Sequence, residues 1–118
     1  MVRIDDLAEA ALSGDALRLR SLAQDWLGEN RSIESSRPPE SNDPTLRAIA
    51  AGLVEMFAER RGERPPAWSE GIAAAPERVY LVKAARTMSR LRRICETESP
   101  RALRRRNLLA PPTFLEFV

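Results

Sequence analysis

Apolar residues recur at helical spacing along most of the chain, and no segment shows the alternation of apolar and polar positions typical of a β-strand. The pattern begins with two predicted helices, 4–12 and 15–27. Gly14 separates them, because glycine readily takes the left-handed conformation that ends a helix. Residues 1–28 are therefore predicted to form an N-terminal helical hairpin.

A third helix is predicted to begin at Asp43-Pro44, where a capping residue precedes a proline suited to the first helical turn. It ends at Gly62, after a run of regularly spaced apolar residues. Residues 29–43 are rich in serine, proline and charged residues, so we expect a polar linker or loop there. The pattern cannot say whether this segment is ordered.

The longest predicted helix covers residues 76–98, with Pro76 at its first position. Five apolar residues at steps of three and four predict its buried face: Leu81, Ala84, Met88, Leu91 and Cys95. Four basic residues fall on the opposite face: Lys83, Arg86, Arg90 and Arg93. Within that arc no carboxylate neutralises them; only Glu96 can reach Arg92 or Arg93, and surface pairs of that kind are weak. The basic face is therefore either a solvated helix back or an electropositive strip that suits phosphate or a carboxylate-lined cleft.

Ser99-Pro100 predicts a break followed by a short arginine-rich helix that ends near Asn107. Residues 44–107 then form a helical core, and residues 108–118 form an apolar C-terminal tail. The predicted fold is all-α, a small helical bundle of four main helices with a short C-terminal helix and an extended apolar tail. At 118 residues the chain suits one compact domain.

The composition argues against an enzyme. The chain has no histidine, one cysteine and five scattered glycines, which leaves no familiar general base, zinc site or phosphate-binding loop. We therefore expect no cofactor and no bound metal. No signal peptide and no apolar run long enough to cross a membrane is evident, so we expect a cytoplasmic protein without a membrane partner.

Positive charge is concentrated in the C-terminal half. Residues 76–107 carry ten basic and three acidic side chains, although the whole chain has a formal net charge of only +2. Such asymmetry indicates an interaction surface. The candidate partner-binding residues combine this charge with nearby apolar and aromatic side chains: Trp68, Arg104, Arg105, Arg106, Phe114, Leu115 and Phe117.

The sequence leaves two interpretations of these residues open. The tail either docks on a partner or folds back on its own core, and Trp68 either binds a partner or packs at the core edge. If the tail docks on a partner, truncation after Asn107 should leave the fold intact and weaken binding.

A nucleic-acid-binding regulator is the alternative function, in which Lys83, Arg86, Arg90 and Arg93 contact the phosphates of DNA. About four such contacts predict a log–log salt slope near −3.6. A homodimer would suit this role, and the sequence does not decide the oligomeric state.

Several short motifs resemble small bacterial proteins encoded beside nucleotidyltransferase-like toxins. They are Pro65-Pro66-Ala67-Trp68, Asp25-Trp26-Leu27 after Arg20-Ser21-Leu22, and Ser99-Pro100 with Arg104-Arg105-Arg106-Asn107 and Phe114-Leu115. The resemblance implies an antitoxin that binds a cognate toxin, which is itself nucleotidyltransferase-like. In this hypothesis the arginine-rich turn and the tail cover the toxin's active site.

Overall fold

The computed structural model describes residues 1–117, and that part of the chain folds into six α-helices with very little strand. The helices are α1 (Ile4–Ser13), α2 (Ala16–Glu29), α3 (Pro44–Arg61), α4 (Ala67–Glu70), α5 (Ser89–Glu98) and α6 (Arg101–Arg104). The fold also contains two short strands, β1 (Val79–Tyr80) and β2 (Leu108–Leu109), and two 3₁₀ turns, Ile33–Ser35 and Lys83–Arg86. The predicted all-α class is confirmed.

Most ends of the first three helices follow the predicted local signals. Gly14 ends α1 with a φ of 78°, and its N–H bonds back to the last turn of that helix. The Asp15 carboxylate accepts the Arg18 N–H at 3.1 Å and caps α2, and Asp43 accepts the Leu46 N–H at 2.9 Å and caps α3. The exception is the end of α2, which continues through Gly28 to Glu29.

Helix α3 is the centre of the core, since every residue from 48 to 58 is buried. Helices α1 and α6 both pack against it. Gly52 permits the closest approach: a Cβ atom there would lie 2.8 Å from Leu108 Cδ1 and 3.1 Å from Leu103 Cδ2. The C-terminal segment thus packs almost directly on the backbone of α3.

The predicted single helix over residues 76–98 is wrong. The chain bends after Ala75, forms β1, continues through the 3₁₀ turn Lys83–Arg86, and becomes α-helical only from Ser89. Leu81 and Cys95 are buried as predicted, but Met88 is 55% exposed. The apolar spacing therefore identified some of the buried residues but not the secondary structure of the segment that carries them.

Hydrogen bonds to the C-terminal segment explain this difference. Strand β1 pairs in parallel with β2, in a register that places Val79 beside Leu108. The Val79 N–H donates to Asn107 O at 2.8 Å, and the Leu81 N–H donates to Leu109 O at 2.9 Å. These long-range partners replace the intrahelical ones, which is a tertiary contact overriding local helix preference.

The predicted linker over residues 29–43 is a loop packed on the helices. Ile33 is fully buried, and the buried Asp5 carboxylate accepts the backbone N–H groups of Glu40 and Ser41. These hydrogen bonds satisfy backbone N–H groups that have no partner within a helix or strand. They tie the loop to the start of α1.

The C-terminal tail folds back on the core within the described residues; Val118 of the predicted 108–118 segment lies outside them. Phe114 is only 9% exposed. Its carbonyl accepts a 2.6 Å hydrogen bond from the Arg60 guanidinium at the end of α3. The Ala110 N–H donates to the buried Ser99 hydroxyl at 2.9 Å. Of the two alternatives for the tail, this structure has the folded-back one.

Candidate interaction surface

The predicted arginine-rich turn is divided between core and surface. Arg106 is 4% exposed, and its guanidinium donates to the Glu55 carboxylate and to Ser69 O. Arg105 donates to the same carboxylate at 2.8 Å from a side chain that is 57% exposed. Arg104 is exposed. Arg106 therefore fastens α6 to α3 and is not available at the surface.

The Glu55–Arg106 pair is buried and incompletely satisfied. Glu55 Oε2 and Arg106 Nε have no hydrogen-bond partner among residues 1–117. A buried charge that loses its partner is costly, so each member of such a pair depends on the other. The sequence gives no sign of this role for Glu55, which lies among the apolar residues of α3.

The predicted aromatic and apolar anchors are packed against the body of this chain. Trp68 is half-buried, and its indole N–H donates to Ser36 O at 2.9 Å. Leu115 and Phe117 are half-buried beside Phe114, and the Arg20 guanidinium lies 5.1 Å from the centre of the Phe117 ring. All four contribute to the core or its edge.

The four residues of the predicted basic face are all exposed, and we call them the cationic face: Lys83, Arg86, Arg90 and Arg93. The first two lie in the 3₁₀ turn and the last two lie three positions apart on α5. No carboxylate within residues 1–117 lies within 4 Å of their charged groups. The structure thus keeps their charges unneutralised although it divides the helix that was predicted to carry them.

Two side chains make hydrogen bonds that link the elements of this region to one another. The Arg92 guanidinium donates to Ala85 O and Arg86 O, and so joins α5 to the 3₁₀ turn. The Tyr80 hydroxyl donates to Glu96 at 2.6 Å, and so joins β1 to α5. That hydrogen bond raises the pKa of Tyr80 above its ordinary value.

A groove of about 390 Å³ lies beside the cationic face. The α1–α2 turn forms one wall, the segment from Leu81 to Ala84 forms another, and the tail from Thr113 to Glu116 closes the third side. Lys83 belongs both to this lining and to the cationic face. The aliphatic part of its side chain lies against Gly14, where an added Cβ atom would be 3.1 Å away.

Two apolar side chains in this region are unusually exposed. Leu17 lines the groove and is 84% exposed, and Met88 lies one helical turn beyond Ala84 and is 55% exposed. Leu17 was not among the predicted binding residues, because it is out of phase with the buried face of α2. That irregularity was the available signal, since an exposed large apolar side chain next to charge is a feature of binding surfaces.

Within residues 1–117, no group of three or more cysteine, aspartate or glutamate side chains is placed to hold a metal ion. Burial raises the pKa of the Cys95 thiol, which disfavours the reactive thiolate. None of the helices in this part of the chain has the length and apolar character needed to cross a bilayer.

Comparison of the chain with known protein families, with characterised proteins and with solved structures finds no significant match. The resemblance to antitoxin-like proteins therefore stays a prediction from short motifs.

Proposed function

We propose that this protein is a non-enzymatic protein-binding module of the antitoxin type, which neutralises a toxin by covering an acidic surface on it. The observation that carries the proposal is the cationic face next to an apolar groove. The motif resemblance supports the same function. The structure changes the expected binding elements, because the tail that was predicted to dock on the partner is engaged with its own core.

The charge of this surface suits an acidic partner. Lys83, Arg86, Arg90 and Arg93 are exposed and have no carboxylate within 4 Å in the described part of the chain. Exposed charges of one sign steer an oppositely charged partner and fix its orientation. A nucleotidyltransferase-like toxin would offer such a surface, since enzymes of that kind hold metal ions with carboxylates. Arginine can bind those carboxylates through paired hydrogen bonds.

Apolar exposure favours a protein over a nucleic acid as the partner. Leu17 and Met88 present aliphatic surface that a phosphate backbone cannot bury. Protein interfaces typically combine an apolar centre with a charged rim. The aromatic side chains Trp68, Phe114 and Phe117, which could have stacked on bases, pack against this chain instead.

The experiment is affinity capture of the tagged full-length protein from its native cell, with nuclease present throughout. The test variant is Arg86→Glu/Arg90→Glu, and the matched control is Arg31→Glu/Arg64→Glu, which reverses two exposed charges elsewhere. The native protein and the control should retain one stoichiometric protein. The test variant should bind it about tenfold more weakly or worse, because two attractions become repulsions.

Neutralisation is then tested by expressing the captured protein alone and with each variant. Growth arrest that the native protein and the control relieve, and the test variant does not, is the expected result. A captured protein that is harmless when expressed alone would contradict the antitoxin role. Equal capture by all three forms would show that the cationic face is not the binding surface.

Nucleic-acid binding is the second candidate function, and the exposure of all four cationic residues supports it. Binding to duplex DNA through these four contacts should give a log–log salt slope near −3.6, which Arg86→Glu/Arg90→Glu should reduce. Binding that is undetectable, or unaffected by salt, would exclude this function.

A further inference from the structure

We infer that the groove between the α1–α2 turn, the 3₁₀ turn Lys83–Arg86 and the tail is the docking site for an acidic amphipathic segment of the protein partner. The inference rests on the proposed function and specifies how it is carried out. An apolar side chain of the partner enters the groove, and acidic residues beside it pair with the cationic face.

The groove has the size and lining of a site for one or two apolar side chains. Its volume is about 390 Å³. Its floor includes Leu19 and Leu81, which are 2% and 3% exposed, so it lies directly on the closed core. Ala84 and Leu115 contribute further aliphatic surface to its sides. Apolar recesses next to a charged rim are where interface anchors commonly lie.

Leu17 adds exposed apolar surface at the groove, which a partner could cover. At 84% exposure it is the most exposed large apolar residue after Met1 among residues 1–117. It contributes little to the folded core, and Leu19, two residues further along, supplies the buried contact. A leucine in this position gains free energy only when another surface covers it.

The charges around the groove favour an acidic partner. Four charged residues line it: Asp15, Arg20, Lys83 and Glu116. Asp15 is engaged in capping α2, and Arg20 lies over the Phe117 ring. Lys83 is continuous with Arg86, and beyond it Arg90 and Arg93 extend the positive charge along α5. Within the lining Asp15 and Glu116 balance Arg20 and Lys83, so the excess positive charge comes from the adjacent Arg86, Arg90 and Arg93, and acidic groups on the partner are attracted on the 3₁₀ side.

The test uses ¹⁵N-labelled full-length protein and a synthetic acidic amphipathic peptide of about twelve residues, with leucines at i, i+3, i+4 and i+7 and glutamates elsewhere. Amide shifts locate the contact and their titration gives the Kd. Shifts are expected at Gly14, Leu17, Lys83 and Ala84. Two comparison peptides carry serines in place of the leucines or lysines in place of the glutamates, and both should bind about tenfold more weakly or worse.

Protein variants make the test specific to the groove. Leu17→Ser should weaken peptide binding about tenfold, and Ala84→Trp, which fills the recess, should do the same. Leu12→Ser is the matched control, because Leu12 is another partly exposed leucine, at 39%, that does not line the groove. Its Kd should stay within about twofold of the native value. Unchanged melting temperatures confirm that the variants remain folded.

Each remaining outcome would overturn the groove assignment. Equal binding of the leucine and serine peptides would mean that charge alone attracts the peptide. A native dimer that Leu17→Ser converts to a monomer would assign the groove to a second copy of this chain. Absence of binding by every peptide would also refute it. In each case capture of a protein that Arg86→Glu/Arg90→Glu abolishes would still support the proposed function.

Discussion

Two regions of this protein are rich in basic residues and have opposite environments. In the turn after α6, Arg105 and Arg106 converge on Glu55 and one of them is buried. On the cationic face, four basic side chains meet no carboxylate within 4 Å in the described chain. The difference comes from a single acidic residue on the central helix. A cluster of positive charge therefore indicates a binding surface only where the fold supplies no internal counter-charge.

Truncation after Asn107 has the largest expected effect, and it tests whether the segment that follows the buried arginine turn is part of the core. It removes Leu108, Ala110 and Phe114, which pack on the core, together with the partner strand of β1. We expect a loss of roughly 5 kcal/mol or more, which is comparable with the whole stability of a small domain. Circular dichroism and thermal unfolding measure it, with a chain ending at Leu115 as the control that keeps these contacts. A truncated chain that melts like the native protein would show that the tail is not structural.

Substitution of Glu55 is the next largest expected effect. Glu55→Ala leaves the buried Arg106 without its counter-charge, so we expect a loss of about 3–5 kcal/mol in the free energy of unfolding. Glu55→Leu/Arg106→Met removes both charges and should recover most of that loss. Urea unfolding of the three proteins measures this. If Glu55→Ala has the same free energy of unfolding as the double variant, water already reaches Arg106 and its charge is not truly buried.

The hydrogen bond between Tyr80 and Glu96 joins β1 to α5, and the titration of Tyr80 tests whether it forms. The bond raises the pKa of Tyr80 in the folded protein, so its contribution to stability is fully present below the ordinary value of about 10 and is lost as pH rises through the raised pKa. The change in absorbance at 295 nm with pH follows this residue alone, because the chain has one tyrosine and its two tryptophans do not titrate. Glu96→Gln should return the midpoint towards the ordinary value, and a midpoint unchanged by that variant would contradict the bond.

Reversal of charge on the cationic face should have the smallest effect on stability. Arg86→Glu/Arg90→Glu should change the free energy of unfolding by no more than about 0.5 kcal/mol, as is usual for exposed side chains without partners. The Arg31→Glu/Arg64→Glu control should behave in the same way. Urea unfolding that shows a much larger loss in the test variant alone would mean that Arg86 and Arg90 support the fold and have an internal partner.

The sequence predicted the parts of the fold that local chemistry determines. Capping residues and glycines placed α1, α2 and α3, and apolar spacing identified Leu81 and Cys95 as buried. The division of residues 76–98 was not predictable in this way, because the competing hydrogen bonds come from Asn107 and Leu109. Apolar spacing alone does not distinguish a helix from a short strand that pairs with a distant segment.

Prediction of the binding surface was limited for the same reason. Positive charge at Arg106 and at Arg93 looks equivalent in the sequence, and only the position of Glu55 on α3 separates the two. The apolar tail residues gave an equally ambiguous signal, since an aromatic residue such as Phe114 suits a core and an interface alike. Leu17 did carry a signal in the sequence, because it is out of phase with the apolar face of α2, but its exposure beside the groove became evident only from the structure.

The close packing at Gly52 has a consequence for how the chain folds during synthesis. Helix α3 is buried on every side over residues 48–58. Helix α1 covers part of it and is synthesised before it, whereas α6 and β2 cover another part and follow far later: Glu55 and Arg105 are separated by 50 positions. A ribosome that has completed α3 has therefore exposed a largely apolar surface that α1 can cover only in part. Until Leu103 and Leu108 emerge, the rest of that surface is open to contact with neighbouring chains.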